Sequence, residues 1–69
     1  MVIVNTKKIR SLREDEGLTV AELGEAAGVS RTMMTYYEQG KRQPQIEALA
    51  FIAKRLGVTM EDLVIDTEA

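Results

Sequence analysis

The side chains able to do chemistry crowd into one stretch, Val29 to Gln43, which reads VSRTMMTYYEQGKRQ. It sets Arg31, Lys41 and Arg42 against a single carboxylate, Glu38, and adds the hydroxyls of Ser30, Thr32, Thr35 and Tyr36. These groups are hydrogen-bond donors and fixed positive charges. A guanidinium presents a rigid planar fork of N–H donors, and a lysine ammonium acts as a compact point charge. No proton-transfer centre accompanies them, because the chain has no histidine and no cysteine. That removes the commonest general base, thiolate nucleophiles, and the usual imidazole and thiolate metal ligands. The carboxylates are scattered over what read as exposed helix faces. The chemistry is that of gripping a partner; an enzyme is the wrong class, and no cofactor, metal or small-molecule ligand is expected.

The stretch belongs to a chain of 69 residues. That length makes one domain, near the lower size limit for an independent core. The hydrophobic fraction of 45% includes only three aromatic residues, so the core must be aliphatic. Net charge is −2, which by itself argues against a nucleic-acid partner, where a basic domain is the usual footprint. The distribution matters more. From Pro44 onward, Lys54 and Arg55 face Glu47, Glu61, Asp62, Asp66 and Glu68, so the tail is acidic and Val29 to Gln43 is basic. No apolar run approaches the ~20 residues of a membrane span. The opening MVIVNTKK puts its basic residues after its apolar patch, the reverse of a secretory signal. A cytoplasmic protein, bacterial or phage-encoded, is expected.

Positioning the donors requires two short helices joined by a tight turn, and Thr19 to Gly40 supplies the pattern. Apolar or small residues stand at Val20, Leu23, Gly24, Ala27, Val29, Met34 and Tyr37. Their three- and four-residue steps give each helix one inward face. Thr19 and Glu22 form a capping box, Ser30 caps the second helix of the pair, and Gly40 ends it. Gly28 sits where the chain must turn sharply, a place that favours a left-handed backbone. Gly24 costs ~1 kcal/mol against alanine inside a helix, which predicts a close approach by the neighbouring helix. The pattern is a helix-turn-helix.

Around it, Asn5 or Thr6 caps a first helix running to about Glu16, with Ile9, Leu12 and Arg13 on one face and Gly17 as its stop. Lys41 to Pro44 is a loop. A fourth helix covers about Ile46 to Leu56, with Ile46, Leu49, Ala50, Ile52, Ala53 and Leu56 inward. Thr59-Met60-Glu61-Asp62 opens a short fifth helix holding Leu63, with Leu18 and Val58 as hydrophobic staples for the second and fifth helices. Met1 to Val4 reads either as a short strand, paired with Leu63 to Ile65 or with another subunit, or as an irregular cover on the core. The tail from Asp66 is expected to fray. The expected fold is all-α, one domain over 1–69 with its core in about 5–65.

Over about Ile9 to Leu63 the chain resembles the phage repressor and Cro-like helix-turn-helix family, also called the xenobiotic-response-element type. GVSRTMMTYYEQGKRQP and the closing LGVTMEDL carry the resemblance. It implies a compact five-helix domain of lambda-repressor type and a sequence-specific DNA-binding transcription regulator, most often dimeric. It also implies a structural ion pair between Arg13 and Glu38. Two departures stand out. Many relatives carry a phosphate-holding glutamine where this chain has Val20, and Ser, Thr or Asn where Gln45 opens the fourth helix.

In such a protein the third helix enters the major groove and flanking elements grip phosphates. The base-reading candidates are Ser30, Arg31, Thr32, Met33 and Tyr36, with Arg31 matched to guanine O6 and N7. Met34 and Tyr37 are core. The phosphate candidates are Thr19, Thr35, Lys41, Arg42 and Gln43. So few cations imply two copies on a palindromic operator, and Val58, Met60, Leu63, Val64 and Ile65 are the candidate dimer surface, with Val2 to Val4. The rival readings are a protein-interaction module that keeps the fold without operator binding, and an antitoxin.

Overall fold

The computed structural model describes residues 2–67. Strand β1 (Val2–Val4) leads into four helices, α1 (Thr6–Asp15), α2 (Val20–Ala27), α3 (Arg31–Gln39) and α4 (Ile46–Leu56). A 3-10 turn at Glu61–Leu63 then delivers the chain to strand β2 (Val64–Asp66), which pairs antiparallel with β1. Among the described residues the fold is mostly helical, with four α-helices and a two-stranded sheet where five helices were expected.

Local signals explain the helix boundaries. Asn5 accepts the Lys8 amide through its side chain, at 3.1 Å, and starts α1. Thr19 and Glu22 exchange hydrogen bonds of 2.8 and 3.1 Å, a complete capping box on α2. Ser30 accepts the Met33 amide at 3.0 Å and opens α3. Gln45, in contrast, makes no side-chain cap bond to α4, in keeping with the absent Ser, Thr or Asn. Gly28 takes the left-handed conformation, with φ at 75°. Its neighbour Val29 donates to the Gly24 carbonyl at 2.9 Å, tying off the end of α2.

The missing fifth helix has a physical cause. Thr59 and Asp62 do exchange cap hydrogen bonds, at 3.0 and 3.2 Å. Beyond Leu63, however, the β-branched Val64 and Ile65 extend against β1. The Leu63 carbonyl accepts the Asn5 amide at 2.8 Å, so a continuing helix has lost its acceptor. The cap therefore closes one turn only. Asp66 completes β2, contrary to a frayed tail from that residue. The rest of that expectation, at Glu68 and Ala69, lies outside the described residues, as does Met1.

The core is aliphatic. Ile9, Leu23, Met34, Ile52 and Leu63 are fully buried, one from each of α1, α2, α3, α4 and the turn. Val4, Leu18, Val58 and Val64 pack against this cluster. On α4 the inward residues are Ala48, Leu49, Ile52, Ala53 and Leu56, whereas Ile46 is 68% exposed. It is the first residue of α4 and overhangs the end of the core.

α2 packs on both α3 and α4, and α1 on α3. Gly24 marks the closest approach. A Cβ there would lie 3.2 Å from the carbonyl oxygens of Val29 and Ser30 and 3.3 Å from Met34 Cβ. Contacts that short explain the glycine, and the turn carbonyls crowd it as closely as the facing helix does.

Candidate nucleic-acid interface

α3 is held by its buried side. Met34 and Tyr37 enter the core, and Glu38 meets Arg13 of α1. Arg13 Nε donates to Glu38 Oε2 at 2.7 Å and a terminal nitrogen donates to Oε1 at 3.1 Å. Its other terminal nitrogen donates to the Leu18 carbonyl at 2.8 Å. The two side chains are only 11% and 7% exposed. One guanidinium therefore fixes α3, α1 and the entry to α2 together.

The opposite side of α3 is open. Arg31, Thr32 and Tyr36 are exposed, with Ser30 at the cap. Arg31 has no ion-pair or side-chain hydrogen-bond partner among the described residues, so its donor fork is free for an external acceptor. Tyr36 stands beside Lys41, whose ammonium lies 5.9 Å from the ring centre. The Gly40 turn that places Lys41 and Arg42 is tied to α3 by the Tyr36 carbonyl, which accepts the Lys41 amide at 2.9 Å. Lys41, Arg42 and Gln43 are all exposed.

Three expected contacts come out differently engaged. Met33 is half-buried and packs on the core cluster. Much of its side chain is thus already covered from within the protein. The Thr35 hydroxyl donates to the Arg31 carbonyl at 3.0 Å, leaving it an acceptor towards the outside. At the start of α2, the Glu22 carboxylate occupies the Thr19 amide, and hydrogen bonding from Thr19 holds its pKa below the ordinary carboxylate value. An ionised carboxylate sits where an incoming phosphate would seek amides, so Thr19 is a weaker anion seat than the bare helix end suggested.

Arg10 was not among the expected contacts. It borders a groove of about 220 Å³ between α1, α2 and α3, shared with Val20, Thr35 and Gln39. Its only ion pair among the described residues is a 3.8 Å contact with Glu14, one turn along α1, and its side chain is 64% exposed. The position was legible only as one of several cations on α1; knowing that it borders α3 needs the helix packing.

Of the candidate dimer residues, Leu63 must be removed, since it is fully buried in the core. Val58 and Val64 are half-buried against the same core, and Met60 and Ile65 remain exposed.

Two helices locked about a glycine turn, with free donors along the second and cations at its end, define a helix-turn-helix protein. The chain belongs to the Helix-turn-helix family, whose profile matches residues 9–63. It is 35% identical over 63 residues to the CTXphi phage transcriptional repressor RstR of Vibrio cholerae, covering 91% of this chain and 57% of that protein. It is 37% identical over 62 residues to the transcriptional activator BcrR of Enterococcus faecalis, covering 90% of this chain and 30% of that one. The chain thus spans little more than half of the first relative and under a third of the second. Among solved structures it is similar to the P22 c2 repressor in complex with a synthetic operator, with a TM-score of 0.79 and 26% identity, covering 84% of this chain and 88% of that one.

Proposed function

We propose that the protein is a sequence-specific DNA-binding transcription regulator, a small phage-type repressor that binds a palindromic operator as a homodimer. The observation that carries this reading is the locked α3 with an unpartnered Arg31 on its open side. A helix fixed on a scaffold and exposing a rigid donor fork is suited to the major groove, where guanine offers two acceptors side by side. The P22 c2 likeness supports it, because that repressor is seen in complex with a synthetic operator.

In this reading Arg31, Thr32 and Tyr36 read bases with Ser30, and Met33 adds at most its outer edge. Lys41, Arg42 and Gln43 hold one phosphate stretch. Arg10 supplies a second grip across the groove beside Thr35, where Val20 offers no polar side chain and Glu22 opposes an anion at Thr19. A handful of phosphate contacts gives weak, salt-sensitive binding. Two copies reading half-sites about 34–36 Å apart double those contacts. The protein would then work in the cytoplasm of a bacterium.

Selection of bound fragments from a random double-stranded DNA pool tests the whole reading, and it should return a palindrome. Arg31→Ala should weaken the selected site by about 1–3 kcal/mol and relax preference at one base per half-site. Unchanged affinity would remove Arg31 from the recognition role. Recovery of no fragment by folded protein at low salt would favour the interaction-module or antitoxin reading. That alternative draws on 33% identity over 58 residues to the antitoxin PezA of Streptococcus pneumoniae.

A further inference from the structure

We infer that two copies of this chain join through the open edge of β1, so that two small sheets become one four-stranded sheet across a two-fold axis. The inference rests on the dimeric reading above and narrows its candidate surface to Val2–Val4, away from Met60 and Ile65.

The register leaves one edge unsatisfied. β1 and β2 pair as Val2 with Asp66, Ile3 with Ile65 and Val4 with Val64. The next step along, the Asn5 amide donates to the Leu63 carbonyl at 2.8 Å. Antiparallel pairs alternate between hydrogen-bonded and non-hydrogen-bonded, so Ile3 is bonded to Ile65, and the amides and carbonyls of Val2 and Val4 point away from β2. Among the described residues those groups have no partner. The edge of β2 differs, because the Val64 amide is already given to the Glu61 carbonyl. Strand edges in soluble proteins are commonly blunted by charge or proline. Val-Ile-Val is short, three residues, but carries neither, and Val2 is 63% exposed.

The occupant follows from the strand's own sequence. Val-Ile-Val reads the same in both directions, so antiparallel pairing of two β1 strands about Ile3 sets Val2 of each copy against Val4 of the other. Those are the residues whose amides and carbonyls face the open edge, and both pairs close with reciprocal hydrogen bonds. Ile3 meets its symmetry mate as a non-hydrogen-bonded pair, the closer kind, with Cα atoms about 4.5 Å apart. On the other face, exposed Val2 is carried against Val4, which packs on the core. Any extended strand could make those backbone bonds; a second copy makes them and also sets apolar side chains against Val2 and Ile3.

The native chain has no cysteine, so single-cysteine variants report the seam directly. Ile3→Cys puts two thiols on the axis at a separation within disulfide range, and Met60→Cys marks the rival surface. The full-length variants are oxidised in dilute solution after their helicity is checked, and wild type and Val2→Lys are compared by sedimentation. The expected result is a disulfide dimer from Ile3→Cys and none from Met60→Cys. Val2→Lys should keep its helices while its dimer dissociation constant rises at least tenfold. Cross-linking by Met60→Cys alone, or a Val2→Lys dimer as tight as wild type, overturns the seam. If Ile3→Cys does not fold, the Val2→Lys comparison decides. A seam that cross-links in a protein binding no DNA fragment retires the operator reading and keeps the seam. Dimeric operator binding without the Ile3 cross-link does the reverse.

Discussion

Glu38→Ala should be among the most damaging single substitutions in the chain, although Glu38 lies on the helix proposed to meet DNA. Its carboxylate takes two of the three bonds made by Arg13, at 2.7 and 3.1 Å, in a site where both side chains are about nine-tenths covered. Removing it strands a guanidinium with only the Leu18 carbonyl, and an uncompensated buried charge costs about 3–5 kcal/mol. A domain of this length has roughly 3–10 kcal/mol to lose. Arg13→Ala should cost at least as much, because it orphans the Leu18 carbonyl as well as Glu38. The pair Arg13→Met with Glu38→Leu removes both charges and leaves only that carbonyl unpaired, for about 1–3 kcal/mol. The double variant should therefore be no less stable than Glu38→Ala, and the cycle closed with the singles Arg13→Met and Glu38→Leu should show a coupling of about 2 kcal/mol or more. Urea unfolding followed by far-UV circular dichroism measures it, the chain having no tryptophan. Single variants that each lose under about 1 kcal/mol and add in the double would refute the buried-pair reasoning.

Three further outcomes follow from the same structure. Gly24→Ala should destabilise by about 1–2 kcal/mol despite alanine's better helix propensity, because its methyl would press on two turn carbonyls at 3.2 Å; a thermal melt at or above wild type would show that the turn yields freely. Gln45→Ser should raise the melting temperature by supplying the side-chain cap that α4 lacks, a gain of about 0.5–1 kcal/mol, and an unchanged melt would mean that the cap geometry does not close. Hydrogen bonds from Thr19 and Thr59 lower the pKa values of Glu22 and Asp62, so their stabilisation is present above the ordinary carboxylate range of about 4 and fades as pH falls through it and below. Glu22→Gln with Asp62→Asn keeps acceptors there without a titrating charge, and its melting temperature should fall less than wild type's between about pH 6 and pH 3; equal falls would count against the capping carboxylates.

Most of what was legible in the sequence was legible because its cause is local. Thr19 and Glu22 are three residues apart and complete their box without help from the rest of the fold. Gly28 is decided by one backbone conformation, and Gly24 by a contact with the turn beginning four residues later. β2 had no such cause, so its pairing with the first residues stood only as one of several readings. Val64-Ile65-Asp66 is too short to pair alone, and its partner lies at the other end of the chain. The apolar residues near Leu63 showed the same ambiguity, since a short amphipathic segment suits a core and an interface equally. Burial resolved it, sending Leu63 inward and leaving Met60 and Ile65 outside. Arg10 was hidden for a related reason: its neighbours Thr35 and Gln39 belong to another helix.

The charge balance is clarified by the same ion pair that holds the scaffold. In Val29 to Gln43 the only carboxylate is Glu38, and Arg13 neutralises it from α1. Arg31, Lys41 and Arg42 are then left with no counter-charge within their own stretch, on an exposed surface. The other acids lie outside that stretch, at Glu14 to Glu16, Glu22, Glu25, Glu47, and from Glu61 onward. Net charge is thus a poor guide to what this face attracts. A buried Arg13–Glu38 pair does two jobs through one geometry: it fixes the angle of α3, and it neutralises the one negative charge carried by α3 itself. Reversing the pair as Arg13→Glu with Glu38→Arg would preserve neutrality on paper while moving a cation onto α3 and losing the bond to Leu18. Such a swap should therefore fail to restore stability even though its charges match.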